Sequence, residues 1–147
     1  MKIGMKLLTL SLLVVMMVVY SGCKKEEESV DQNAVDKEKI ENYVVENDLN
    51  GQFTESGLYY VIIKSGNDKH PTSSSNVTVK YKGYYLSGSV FDGNDYYTFN
   101  LSGLIEGWKE GLQLIGEGGE IMLLIPGNLA YNDGVRAFDI TLYNTTK

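Results

Sequence analysis

Between residues 77 and 143 the apolar spacing of this chain changes twice, and that double change limits the folds open to it. Val77, Val79, Tyr81, Gly83 and Tyr85 alternate with Thr78, Lys80, Lys82 and Tyr84. A period of two marks a strand with one buried face. From residue 103 to 116 the spacing lengthens, so that Ile105, Trp108, Leu112 and Ile115 share one helical face and Glu106, Lys109, Glu110 and Gln113 the other. Strand patterns then resume. IMLLI, residues 121–125, is apolar at every position, which predicts a central strand stopped by Pro126. RAFDITLY, residues 136–143, predicts the last strand, and GLYYVIIK, residues 57–64, an early one. Ser87-Gly88 reads as a hairpin turn, with Ser89-Val90-Phe91 starting the return, and GEGGE at 116–120 as a second turn. Five or six strands with a single helix inserted among them cannot build parallel β-α-β units. The expected class is α+β, an antiparallel sheet packed on one helix.

The start of the chain is of a different kind. Lys2 and Lys6 precede an apolar run at residues 7–20, followed by Ser21, Gly22 and the single cysteine, Cys23. Fourteen residues fall short of the roughly 20 that span a bilayer. A basic start, a short apolar run and a small-residue exit read as a signal peptide over residues 1–22. One cysteine excludes an intrachain disulfide. Its place after Ser-Gly resembles the bacterial lipoprotein signal, in which the cysteine sulfur receives a diacylglycerol, although Tyr20 stands where leucine is usual. The partner implied is a membrane, reached through a lipid anchor at Cys23 and not through a spanning helix. KKEEE at 24–28 reads either as a solvated charged linker or as a motif resembling the surface-export signal of some bacterial lipoproteins. Residues 23–33 are expected to form a disordered polar tether. Residues 34–52 form a helical extension, with Asn33 as its N-cap and Val35, Ile40, Tyr43 and Val44 on its apolar face, and residues 53–147 the main domain.

Without residues 1–22 the chain keeps 11 basic against 19 acidic side chains, a net charge of −8. An acidic domain with no basic stripe repels phosphate backbones, which argues against a nucleic-acid partner. His70 is the single histidine and lies in a serine-rich loop, so a histidine triad or metal site lacks material. GEGGE has no lysine and hydroxyl residue for a phosphate loop. What the chain does have is a spaced set of aromatics, Tyr81, Phe91, Phe99, Trp108, Tyr131 and Phe138, with Asp92 directly after a phenylalanine. Ordinary core seldom interleaves a phenol, an indole and an acid in this way, whereas an apolar pocket with polar groups at its rim does. Asp92 taken alone also reads as a turn acid before Gly93.

The order VKYKG, VFDG, FNL, LIEGWKEGL, IPGNLAY, FDITL resembles the FKBP-type peptidyl-prolyl cis/trans isomerases, over about residues 40–143. The resemblance implies a twisted sheet curled around a short helix, and a pocket for a proline ring. Trp108 would form its floor, and Tyr81, Phe91, Phe99, Leu104, Ile105 and Phe138 would line it. The Tyr131 hydroxyl and the Ile105 backbone amide would hold substrate carbonyls, and Asp92 would shape the field at the rim. The substrate would be a proline-containing polypeptide. The barrier to amide rotation is about 18–20 kcal/mol because resonance keeps the bond planar. A dry pocket disfavours the polar planar amide more than the twisted one, and no nucleophile, metal or cofactor is required. Two motifs depart from the family pattern. The FDSS-like turn is Phe91-Asp92-Gly93-Asn94, and only NDGVRA, residues 132–137, separates Tyr131 from Phe138, where relatives carry a longer loop with an Ile-Pro pair.

The reading reached from the sequence is an exported lipoprotein isomerase that assists the folding of envelope proteins, with weak activity because one flap of the pocket is short. The runner-up is a proline-peptide-binding or chaperone-like module of the same fold with little turnover. A third, non-homologous reading is a tyrosine-rich adhesin domain. For the anchor, fatty-acid labelling of the parent and its loss in Cys23→Ala are the expected results; equal labelling of both would remove Cys23 as the lipid site.

Overall fold

The computed structural model describes residues 30–147, so the leader at 1–22, Cys23 and the charged run at 24–28 lie outside the described residues. The first element is helix α1, Gln32–Glu46. Its N-cap is Asp31 and not Asn33: the Asp31 carboxylate accepts a hydrogen bond from the Asn33 backbone N–H at 3.0 Å. A charged acceptor at the positive end of the helix caps it at least as well as an amide does. The helix therefore starts within the stretch expected to be tether, taking in Gln32 and Asn33. It ends at Glu46, where the Asn47 backbone N–H bonds the Tyr43 carbonyl and Asp48, with a φ of 51°, turns the chain away.

Six strands follow: β1 Gln52–Phe53, β2 Tyr59–Lys64, β3 Asn76–Tyr84, β4 Val90–Asn100, β5 Glu120–Ile125 and β6 Arg136–Thr146. Helix α2, Glu106–Leu112, lies between β4 and β5. The strands form one sheet in the order β1-β2-β5-β6-β3-β4, with every pair antiparallel. This is the expected α+β arrangement. Three boundaries differ from the sequence expectation. Strand β1 has two residues, too short to show a period. Strand β6 runs three residues past Tyr143. Strand β4 passes unbroken through Phe91-Asp92-Gly93-Asn94, because the reversal is completed upstream, where Gly88 at a φ of 89° bonds back to Tyr85.

The IMLLI strand is apolar on both faces because both faces are covered. Ile121, Leu123 and Ile125 face α2 in a core that includes Val77, Val79, Trp108, Leu112, Phe138, Ile140 and Leu142. Leu124 faces the other way, into a second cluster with Ile40 of α1, Tyr59, Tyr84, Val135 and Ala137. Helix α2 is shorter than its apolar stripe, and Ile115 completes the stripe from the turn beyond it. It also lies very close to β5. A Cβ on Gly107 would stand 2.4 Å from Ile125 Cγ2, and one on Gly111 2.6 Å from Leu123 Cδ2. A larger residue at either position would force the Ile125 or Leu123 side chain out of its place in the core.

Asp36 shares the buried face of α1 with Ile40 and is fully enclosed. Its Oδ2 accepts a hydrogen bond from the Gly127 backbone N–H at 2.8 Å, and its Oδ1 accepts one from Gln32 Nε2 at 2.8 Å. Lys39 Nζ stands 3.8 Å from Oδ1. Gly127 begins the 3-10 turn Gly127–Leu129, so the helical extension is fastened by a carboxylate to the segment that leads into Tyr131. Removing that acceptor strands a buried N–H, which costs about 1–3 kcal/mol. Asp36→Ala should lose stability on that scale in urea titrations, and Asp36→Asn, which keeps an acceptor oxygen, should lose less.

Candidate active site

Five elements converge beside α2. Strand β3 brings Tyr81, strand β4 brings Asp92 and Phe99, and the segment between them and the helix brings Leu104 and Ile105. Trp108 comes from the first turn of α2, Tyr131 from the end of the IPGNLAY segment, and Phe138 from β6. These eight side chains surround a cleft of about 130 Å³. Trp108 is only 4% exposed. Three rings stand nearly perpendicular to its indole: Tyr81 at 5.3 Å between centroids, Phe138 at 5.4 Å and Phe99 at 5.8 Å. Edge-to-face packing sets positive ring edges against negative ring faces, which holds each ring in one orientation.

Of the nine residues named from the sequence, Phe91 alone does not line the cleft. Its ring lies over Gly83, where a Cβ would be 2.8 Å away, and meets Phe138 edge-on at 5.6 Å. It supports the wall from behind. The physical reason is the pairing of β4 with β3: Asp92 stands opposite Gly83 and Val90 opposite Tyr84, so Phe91 is the extra residue at a register shift and its ring fills the space over Gly83.

Asp92 is a strand residue opposite Gly83, not a turn acid. Its Oδ2 accepts a hydrogen bond from the Tyr81 hydroxyl at 3.0 Å, and its Oδ1 accepts one from the Gly93 N–H at 2.8 Å. The carboxylate is held in place from both sides. Desolvation, helped by the hydrogen bond and charge of Asp92, pushes the Tyr81 phenol up to about 12. Tyr131 is also raised, first by desolvation and then by the charge of Asp92, with the nearby Arg136 pulling the other way. Both phenols are therefore protonated at neutral pH. The Tyr81 proton is committed to Asp92. Tyr131 is 54% exposed at the cleft edge, with its hydroxyl available to donate. The Ile105 N–H precedes the first turn of α2, where backbone donors have no partner within the helix.

The sequence reading assigned no role to Arg136, five residues after Tyr131 and the first residue of β6. It is buried, bonded to Asp133, and packed against Tyr85, Phe91 and Tyr131. The available signal was a lone cation at the mouth of the last strand, directly after a short glycine-containing loop. His70, set aside from the sequence, is an exposed loop residue whose Nδ1 lies 2.9 Å from the Gln113 carbonyl.

Asp92→Asn removes a charge that disfavours ionisation of Tyr81. Ionisation of that phenol should then begin at lower pH, while staying above the ordinary range because desolvation remains. Tyrosine NMR titration, with Tyr81→Phe to assign the signal, checks the direction. Stability should stay within about 1 kcal/mol, as for a rim residue.

A sequence model of the FKBP-type peptidyl-prolyl cis-trans isomerases matches residues 67–142. Over 114 residues the chain is 44% identical to a probable FKBP-type peptidyl-prolyl cis-trans isomerase FkpA of Neisseria meningitidis serogroup B, an alignment covering 74% of this chain and 42% of that protein. It is 39% identical over 113 residues to FkpA of Escherichia coli K12, covering 74% of this chain and 41% of the relative. The chain thus spans about two fifths of the length of the curated relatives it matches. The crystal structure of FkpA from Escherichia coli superimposes with a TM-score of 0.68 at 31% identity, covering 78% of this chain and 61% of that one. With a matching fold, a matching model over half its length, and an aromatic cleft at the expected positions, the chain belongs to the FKBP-type peptidyl-prolyl cis-trans isomerase family.

Proposed function

We propose that this chain catalyses cis/trans isomerisation of X-Pro bonds in proline-containing polypeptides, using the cleft over Trp108. The observation that carries the proposal is the pairing of an edge-to-face aromatic box with two separate donors at its edge, the Tyr131 hydroxyl and the Ile105 N–H. The box takes a proline ring and strips water from the adjoining amide. The planar amide has the larger dipole, so it loses more by leaving water than the twisted form does. The Asp92 carboxylate adds to this difference. Its negative field opposes charge on the substrate carbonyl oxygen, and that charge falls as the bond twists out of resonance. Tyr131 and the Ile105 amide hold the chain on either side, so that rotation is confined to one bond. A thousandfold acceleration asks for only about 4 kcal/mol of differential stabilisation.

Turnover is weak in this reading. Only residues 132–137 connect Tyr131 to Phe138, and Tyr131 remains half in water, where each hydrogen bond to substrate counts for less. The protein works outside the cytoplasm, assisting the folding of exported proteins while tethered by lipid at Cys23, a placement supported by the leader at 1–22 and the Ser21-Gly22-Cys23 junction. The same exposure of Tyr131 favours a second reading, a module of this fold that binds proline peptides and turns them over little.

A coupled assay on short Xaa-Pro peptides separates the two. The expected result is catalysis above the spontaneous rate with a high KM. Tyr131→Phe should lower kcat/KM about tenfold and leave stability within about 1 kcal/mol. Trp108→Ala should lose catalysis together with about 3–5 kcal/mol of stability, because the indole is both cleft and core. Folded protein that binds such peptides yet never exceeds the spontaneous rate would leave the binding module standing.

A further inference from the structure

Arg136 opens strand β6 and is 7% exposed, although its charge is permanent. A buried guanidinium is tolerated only when it is paired and hydrogen-bonded, and this one is. Its Nη2 donates to Asp133 Oδ2 at 2.6 Å, and its Nη1 donates to the carbonyls of Val135 at 3.2 Å and Gly134 at 3.4 Å. Every one of these partners belongs to the short turn between Tyr131 and β6. The backbone of that turn is unusual, with Asn132 at a φ of 60° and Gly134 at 103°. Arg136 thus closes the turn on itself from within.

The flat face of the same guanidinium meets aromatic rings. Its central carbon lies 4.6 Å from the centroid of Tyr85, 5.7 Å from Phe91 and 5.8 Å from Tyr131. Tyr85 and Phe91 are themselves in contact at 5.2 Å, and Phe91 backs Phe138 in the cleft wall. A cation over ring faces attracts them, so Arg136 connects the wall of the cleft to the ring of Tyr131. Tyr131 is the most exposed of these rings, at 54%, and the chain reverses at the next residue.

We propose that Arg136 is a positioning residue for Tyr131, fixing the direction of its hydroxyl by clamping the turn at residues 132–135 and standing against its ring. The kinetic part of this proposal rests on the isomerase reading; the placement of the ring does not. The lowering influence of Arg136 on the Tyr131 phenol is consistent with the two groups being close.

The test compares Arg136→Gln and Arg136→Lys with the parent, using 13C-tyrosine NMR with Tyr131→Phe to assign the signal, the peptide assay, and urea unfolding. In Arg136→Gln the Tyr131 signal should move and its titration shift to higher pH, since the cation is gone. The value of kcat should fall about tenfold, with KM changed much less, as expected when a group is misaligned. Lysine keeps the charge but lacks the planar fork. Arg136→Lys should therefore restore the Tyr131 titration while leaving the ring signal displaced and kcat low. A Tyr131 signal and kcat that match the parent in Arg136→Lys would overturn the proposal, even if stability falls and even if Arg136→Gln does not fold, because a merely structural cation predicts that result. If the parent itself shows no isomerase activity, the isomerase reading fails, and the Tyr131 ring signal in the two variants still decides the positioning role.

Discussion

The close approach of α2 to β5 is the constraint on which the rest of the structure depends. Gly107 and Gly111 present bare backbone to Ile125 and Leu123, and a methyl group at either position would collide with those side chains. The contact draws a helix of seven residues down onto the middle of the sheet. Trp108 lies beside Gly107 on that helix, so its height above the sheet is set by the same contact. A helix this short has little stability of its own and persists through tertiary packing. The glycines that weaken it in isolation are what allow it to pack.

From that contact the cleft follows in order. The sheet twists around α2 and carries Tyr81, Phe99 and Phe138 to the indole at right angles. Phe91 fills the space left by Gly83 and stiffens Phe138 from behind. The far face of the sheet is closed by α1, whose buried Asp36 reaches the Gly127 amide. The helical extension and the cleft therefore share one segment, Gly127 to Tyr131. Asp36 ties α1 to the segment that leads into Tyr131.

Two phenols border the cleft, and desolvation together with the charge of one acid raises both. Tyr131 is exposed at the cleft edge, and the charge of Asp92 helps to raise its phenol. Tyr81 donates a hydrogen bond to Asp92 and packs edge-on against Trp108. The acid thereby holds the Tyr81 hydroxyl in one direction.

Much of this could be read along the chain. The alternation at residues 77–85, the helical stripe from Ile105 to Ile115 and the apolar run at 121–125 determined an α+β fold, because period and two-sided burial are local properties of a sequence. The spacing of the aromatics, together with the family resemblance, placed eight residues that do meet around one cleft. Phe91 escaped that reading because its place depends on a register shift in the pairing of β4 with β3, which a linear pattern does not contain. Asp31 replaced Asn33 as the cap because polar residues two positions apart compete on geometry that composition does not contain. Asp36 and Arg136 were missed for a deeper reason. A charged residue in sequence is assigned to solvent by default, and only the folded chain supplies the partners, Gly127 and Gln32 for one, Asp133 and three aromatic rings for the other, that make burial of a charge affordable. The sequence by itself determined which residues are apolar and how they alternate; the tertiary structure alone decided which charges are enclosed, because enclosure depends on groups from distant segments arriving within hydrogen-bonding distance.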